Sequence, residues 1–259
     1  LARYQQEGIE EYQVIATLDL KTSTICRSLD KKIFPVAQAQ IGVNAPPLHP
    51  HCRSTTIAWH GRESSTRAAR NPVTGKSESV DGKLNYQEWY DKYVKGNPEA
   101  EAREKMWQNR YEDDKQYQRY KKVLGKNAPK TLEEFQKMKY TKHEEFERLQ
   151  RERRTIKSVD GKSWSDAFKQ KVKDTYYDFR KEGIELTSHG AERYIKHSTA
   201  GKYTKDEVQS CTEKDFNYKQ PDGRWVKYHD GVAVVYTEDK KEIVNILRKN
   251  NPKIDWSKL

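Results

Sequence analysis

Residues 19–56 concentrate the most specific side chains of this sequence into two short blocks, and they constrain the chain more than any other stretch. The first block reads Asp19-Leu20-Lys21-Thr22-Ser23-Thr24-Ile25-Cys26-Arg27-Ser28-Leu29-Asp30. The second reads Pro46-Pro47-Leu48-His49-Pro50-His51-Cys52-Arg53-Ser54-Thr55-Thr56. Three short runs rich in β-branched and aromatic residues flank them, at 12–19, 33–36 and 55–59. Such runs read as strands. A small sheet with turns would bring Cys26 and Cys52 together.

The two blocks, in this order, resemble the phage Mu protein F-like family of minor head proteins. Its pattern is an Asp-x-x-Thr-[Cys/Ser]-x-x-Cys-Arg-x-Leu-Asp run followed by Pro-Pro-x-His-Pro-x-Cys-Arg-[Cys/Ser]. Asp19, Thr22, Ser23, Cys26, Arg27 and Asp30 fall on the first run, and Pro46, Pro47, His49, Cys52, Arg53 and Ser54 on the second. The resemblance implies a head-protein module over 1–60 that attaches to phage portal or capsid proteins. The rest of the chain is then an extension in which a separate activity can sit. The family pattern can also hold four cysteines, which would suit a tetrahedral metal site, but here Ser23 and Ser54 stand at two of those positions. A site built from Cys26, His49, His51 and Cys52 stays chemically open, because zinc accepts imidazole nitrogen. The spacing is not that of a zinc finger, so the expectation is two neighbouring thiols with no metal and no other cofactor.

The chain has 259 residues, enough for two small domains, but hydrophobic and charged residues each make up 34%. That balance favours small cores and exposed helices over one large interior. The net charge of +11 suits a polyanionic partner, either nucleic acid or the DNA inside a virion. Within 181–259 there are 15 Lys+Arg against 13 Asp+Glu, so most of the excess lies upstream. No apolar run reaches the ~18–20 residues of a membrane helix, so no membrane partner is expected. Three cysteines do not make a disulfide framework and point to a reducing compartment. Leu1 is not a start methionine, and the chain reads as part or product of something longer.

Beyond residue 60 the sequence divides by texture. Residues 61–83 are polar and aperiodic, with Gly, Pro and Ser, and read as a linker. Residues 84–155 are charged and helical, with Tyr86, Trp89, Tyr90 and Tyr93 at helical spacing and a capping box opening at Thr131. These aromatics read as core between helices. Residues 156–162 read as a second linker, leaving a C-terminal domain over 163–259. That domain opens with helices at 164–180, near Ser188 and near Thr204, and then the period changes to alternation. Strands are expected at 224–229, 232–237 and 242–247, with a tight turn at Asp230-Gly231 and a polar tail over 250–259. The fold class is therefore α+β: a small mixed N-terminal module, a charged helical middle region, and C-terminal helices packed on an antiparallel sheet.

The C-terminal domain holds the candidate chemistry. His189 starts a helix with Arg193 one turn on, while Lys227 and His229 share a strand and Thr237 ends the next. Metal-independent RNA cleavage needs such a set: a base for the 2′-OH, an acid for the leaving oxygen, and donors for the phosphate. The segment resembles the barnase–EndoU–colicin–RelE superfold of ribonucleases, in the versions fused to phage head proteins. The resemblance rests on Ser-His-x-x-x-Arg at 188–193, the basic strand at 224–229 and Thr237. It implies catalytic roles for His189, Arg193, Lys227, His229 and Thr237, an RNA substrate, an immunity protein as partner, and action in a bacterial host cytoplasm after carriage in the virion. The rival expectation is a purely structural virion protein that binds the portal, the capsid or DNA without catalysis. No Gly-x-Gly-x-x-Gly, Walker or His-Glu-x-x-His motif occurs.

Overall fold

The computed structural model describes residues 1–259, and the chain forms two units. One comprises Leu1–Gln118 and Pro129–Glu144; the other comprises Arg119–Ala128 and Glu145–Leu259. The mixed α+β character expected from the sequence holds, with ten helices and several antiparallel sheets.

The first unit begins with helix α1 (Ala2–Gln6) and strand β1 (Glu11–Ile15). Helix α2 (Thr24–Leu29) follows, then β2 (Ile33–Pro35) and, after a long loop, β3 (Thr55–Ala58). The order β2-β1-β3 puts β1 at the centre of an antiparallel sheet, with Tyr12 facing Phe34 on one side and Ala58 on the other. The three strands expected at 12–19, 33–36 and 55–59 are all present, though shorter. Tyr12 and Val14 form a core with Val36 and Ala45. Gln13 is also buried on β1, because its amide donates to Glu63 (2.8 Å) and to the Lys31 carbonyl.

The segment 61–83 is not a linker. It folds into a hairpin of β4 (Thr66–Arg70) and β5 (Ser77–Asp81), paired from Thr66↔Asp81 to Arg70↔Ser77. Its turn is held by Asn71, whose side-chain oxygen accepts from the amides of Val73 (3.0 Å) and Thr74 (2.9 Å). The polar residues that looked like a break are thus the chemistry of one Asn-closed turn. Ala69 and Val80 of the hairpin pack with Leu18, and with Tyr86, Trp89, Val94 and Ala100 of the following helices. Those helices are α3 (Tyr86–Tyr93), α4 (Pro98–Gln108), the start of α5 (Arg110–Leu124) and α6 (Leu132–Thr141). Asn85 opens α3 with a full capping box, and Asn97 with Pro98 opens α4. The expected cap at Thr131 accepts from the Glu134 amide and opens α6.

Arg67 of the hairpin fixes the unit's interior. Its guanidinium grips both oxygens of Asp30 (2.9 and 3.0 Å) and donates to the carbonyls of Ala16 (2.6 Å) and Leu84 (2.8 Å). Asp30 in turn accepts from the Ala16 amide at 2.7 Å. Both side chains are buried, Asp30 completely.

The second unit takes the end of α5 and most of α7 (His143–Asp160), then α8 (Asp166–Lys181), α9 (Ser188–Thr199) and α10 (Lys205–Thr212). The linker expected at 156–162 is mostly helix, because Ile156 and Val159 continue the buried face of α7. A five-stranded antiparallel sheet closes the unit: β6 (Tyr218–Lys219), β7 (Trp225–His229), β8 (Val232–Tyr236), β9 (Ile243–Arg248) and β10 (Ser257–Lys258), in the order β10-β6-β7-β8-β9. Asp230 (φ +48°) and Gly231 (φ +75°) form the expected two-residue hairpin turn between β7 and β8. One sheet face packs Val226, Ala233 and Val235 on Trp256. Residues 250–259 are therefore not a free tail: Trp256 is buried and β10 pairs with β6. Helix α9 packs on β9, α8 on α9, and α10 on β8. Gly190 allows the α9 contact, since a Cβ there would stand 2.3 Å from the Ile243 carbonyl oxygen.

Removing Arg67 leaves a buried carboxylate without its partner, which costs about 3–5 kcal/mol. Urea unfolding of Arg67→Ala should show a loss of that size, whereas a loss near zero would mean that Asp30 does not depend on Arg67.

Candidate functional site

The two sequence blocks fold over each other in the first unit. Ser23 caps α2 by accepting from the Cys26 amide, which places Cys26 in the first turn, buried. In the second block a tight turn, closed by the Cys52 amide donating to the His49 carbonyl (3.1 Å), brings His49 and Cys52 to the same side. His51 takes a left-handed backbone (φ +60°) at the corner of that turn. The result is a three-donor cluster of Cys26, His49 and Cys52, whose ligand atoms all lie within 4.8 Å of one another. Cys26 Sγ is 3.7 Å from Cys52 Sγ and 3.2 Å from His49 Nε2. The sequence reading of neighbouring thiols is met, and His49 joins them while His51 does not.

The donor set is chemically apt for zinc. With Zn–S near 2.3 Å and Zn–N near 2.0–2.1 Å, the edges of a tetrahedral site are about 3.5–3.8 Å. The Cys26–Cys52 separation of 3.7 Å matches, while Cys26–His49 at 3.2 Å is shorter and would have to open. His49 Nδ1 lies 2.7 Å from the Pro50 carbonyl, and donating to it leaves the Nε2 lone pair facing the thiols. Metal-binding imidazoles are commonly oriented this way. Ser23 Oγ, 2.8 Å from His49 Nε2, lies beside the open fourth position. Burial pushes the Cys52 thiol up. Hydrogen bonds from the backbone at Leu48 and Ser54, and from Cys26, outweigh it, so its pKa falls below the ordinary value.

Two ion pairs brace this cluster. Arg53 grips Asp19 (Nη2 to Oδ1, 2.8 Å), and Thr22 donates to the same carboxylate at 3.0 Å. Burial raises the Asp19 pKa, but the Arg53 guanidinium and the Thr22 hydroxyl outweigh it and the value ends below the usual one. Arg27 lies over the Tyr86 ring (4.6 Å) and bonds Glu104 at 3.3 Å. Tyr86 donates to the Asp19 carbonyl at 2.8 Å. Arg27 and Asp30 thus each have ion-pair partners beyond residue 60, Glu104 and Arg67, so the expected 1–60 module is completed by residues 61–118.

In the second unit the five expected catalytic residues fall into separate settings. Thr187 caps α9, which places His189 and Arg193 on its first two turns. His189 is about half exposed, with Nδ1 3.4 Å from Glu192. Its Nε2 accepts from Arg193 Nε at 3.4 Å. Lys227 instead donates to the Thr212 carbonyl (2.6 Å) at the end of α10, with its ammonium over the Phe216 ring. Burial pushes its pKa down. His229 Nε2 is 3.2 Å from the Asp215 carbonyl. Thr237 donates to Asp239 in the turn before β9. The structure therefore brings His189 and Arg193 together with Glu192, which sequence reasoning did not single out although its i, i+3 spacing from His189 signalled it. Cys211 is buried, its thiol pushed up to about 11 by desolvation, which fits a core residue.

Residues 1–57 match the family model described as Phage Mu protein F like protein. No curated protein and no solved structure matches the chain. The N-terminal segment is thus phage Mu F-like, which relates the chain to phage head proteins. No helix is long and apolar enough to cross a membrane.

Iodoacetamide at mildly alkaline pH should label Cys52 first and Cys211 only on unfolding, as read by peptide mass spectrometry. Equimolar Zn²⁺ should suppress labelling of Cys52 in the wild type but not in His49→Ala. Unchanged labelling with zinc would reduce the cluster to two packed thiols and an imidazole.

Proposed function

We propose that this chain is a phage minor head protein whose first unit is its docking body in the virion. The observation that carries this reading is where the family-matched residues act. Asp19, Thr22, Ser23, Cys26, Arg27, Asp30, His49, Cys52 and Arg53 bond one another or their own unit, so the motif holds one body together. A motif spent on internal braces suits a part that must keep its shape against the portal or capsid. The test is quantitative mass spectrometry of purified heads, separated from tails, from a phage or induced prophage encoding the chain. Its peptides should copurify with the portal at a fixed ratio; their absence from heads would overturn the reading.

A second reading, metal-independent RNA cleavage by the second unit, is favoured by the His189 geometry. With Nδ1–H directed at Glu192, the Nε2 lone pair is the one available as base. A phosphate that takes over the Arg193 hydrogen bond would free that lone pair for the 2′-OH proton. As O2′ bonds to phosphorus and the P–O5′ bond breaks, the guanidinium would neutralise charge on the phosphate and the leaving 5′-oxygen would take a proton from water. Lys227, His229 and Thr237 would act as outlying contacts to the RNA. An immunity protein covering α9 would be the natural antidote. The full chain with bacterial RNA and EDTA should yield 2′,3′-cyclic phosphate ends, and His189→Ala should slow this by about 10²–10⁴-fold. No cleavage, or equal cleavage by the variant, removes this reading and leaves the head-protein reading intact.

A further inference from the structure

The chain's positive charge is concentrated in one place. The second unit contains 29 Lys+Arg against 20 Asp+Glu, a net of +9 out of the chain's +11. Residues 119–128 and 145–180 alone contain 14 against 7, a net of +7, whereas the α9–sheet portion is nearly neutral. The excess therefore belongs to the end of α5 and to α7 and α8.

Those elements enclose a groove of about 1480 Å³, within the second unit and away from His189. Lys122 and Lys126 line it from the end of α5 and the turn after it, and Lys171 and Lys181 line it from α8. All four are exposed. None makes an ion pair, while Arg148 and Arg180 in the same groove are already engaged with the buried carboxylates of Glu152 and Glu185. The arginines are thus structural. Asp174 and Asp178 also line the groove, the first bonded by Gln170 and the second paired with Lys205, so seven cations there face three carboxylates and the lysines carry the excess. Helix C-termini favour cations, which accounts in part for Lys122 and Lys181, but that effect needs no convergence on one groove.

We propose that this groove binds a single strand of nucleic acid along its phosphates. Lys171 and Lys181 are ten residues apart on one helix, which at 1.5 Å per residue spans ~15 Å. That length fits two or three consecutive phosphates, not a lone anion. Flexible, exposed lysines are depleted at the centres of protein–protein interfaces, which lean on aromatic and arginine anchors. They suit a phosphate backbone, where each contact releases a counterion. A groove between helices accepts a narrow strand more readily than a duplex, which needs an element projecting into its own groove.

Fluorescence anisotropy of the full chain with labelled 20-nucleotide DNA and RNA strands, their duplexes, and polyglutamate tests this. Either strand should bind more tightly than duplex or polyglutamate, with log Kd changing by about 0.7 per unit log[salt] for each phosphate contacted. The quadruple variant Lys122→Gln, Lys126→Gln, Lys171→Gln, Lys181→Gln should lower that slope by about 2–3 and weaken binding at low salt at least tenfold. Changing the exposed Lys76, Lys83, Lys92 and Lys95 of the first unit to Gln should leave binding within about twofold. Equal loss in both variants, no loss in the groove variant, or preference for duplex or polyglutamate would overturn the proposal. The ribonuclease reading is scored by cleaved ends and this one by anisotropy on a DNA strand, so failure here is separable from failure of that reading.

Discussion

The buried Arg67–Asp30 pair is the constraint around which the first unit is arranged. Desolvating a guanidinium and a carboxylate is expensive, and the cost is offset only by good geometry together with further hydrogen bonds to the remaining donors and acceptors. Here Asp30 accepts from Arg67 and from the Ala16 amide, and Arg67 divides the other hydrogens of its two terminal nitrogens between the Ala16 and Leu84 carbonyls, which leaves its buried Nε–H as the one donor without a partner. Four segments distant in sequence are tied at one point: the end of β1, the end of α2, the β4–β5 hairpin and the start of α3. A family-matched aspartate thus depends on an arginine outside the match. The boundary of recognisable sequence is not the boundary of the folded body.

The second unit meets the same problem with more charges. Glu185 accepts from Arg148, Arg180 and the Tyr176 hydroxyl, while Glu152 takes the other side of Arg180. Burial raises the Glu152 pKa against the pull of Arg180 and Tyr177. Glu242 is held by Arg154. Each of these carboxylates sits where helix meets helix or strand, so the charges that make the composition look unfavourable for a core are partly inside it. Only when they are paired off does the remaining surface charge become visible, and it lies on the helices lined with lysine.

Much of this was legible in the residues. The strands around Tyr12, Ile33 and Thr55, the Thr131 cap, and the Asp230-Gly231 turn follow from side-chain period and turn chemistry. The approach of Cys26 to Cys52 followed once those strands were placed. What escaped were features fixed by distant partners. Residues 61–83 lack apolar alternation because the fully buried apolar side chains on their strands are just Ala69 and Val80, and the third inward side chain, Arg67, reads as surface until Asp30 is known to be buried. Residues 250–259 look like a tail because Trp256 is alone in a polar string, yet one indole on Tyr218 is enough to hold it. At the candidate sites, His49 joined the thiols and His51 did not because the chain turns left-handed at His51 itself. Lys227 and His229 look catalytic on a strand, but carbonyls at the end of α10 (Thr212) and in the loop after it (Asp215) claim them.

The two ends of the C-terminal sheet show how such a unit stays open to some neighbours and closed to others. An unpaired strand edge is a template that any extended segment can extend. On one side β6 is covered by β10, which is two residues long and held down by Trp256. On the other side β9 is met by the backbone of 185–187, where Ile243 exchanges hydrogen bonds with Glu185 and Thr187 (2.8 and 2.9 Å). Each edge is thus capped at one place, at β6 by two paired residues and at β9 by Ile243, which shortens the ladder open to a foreign strand.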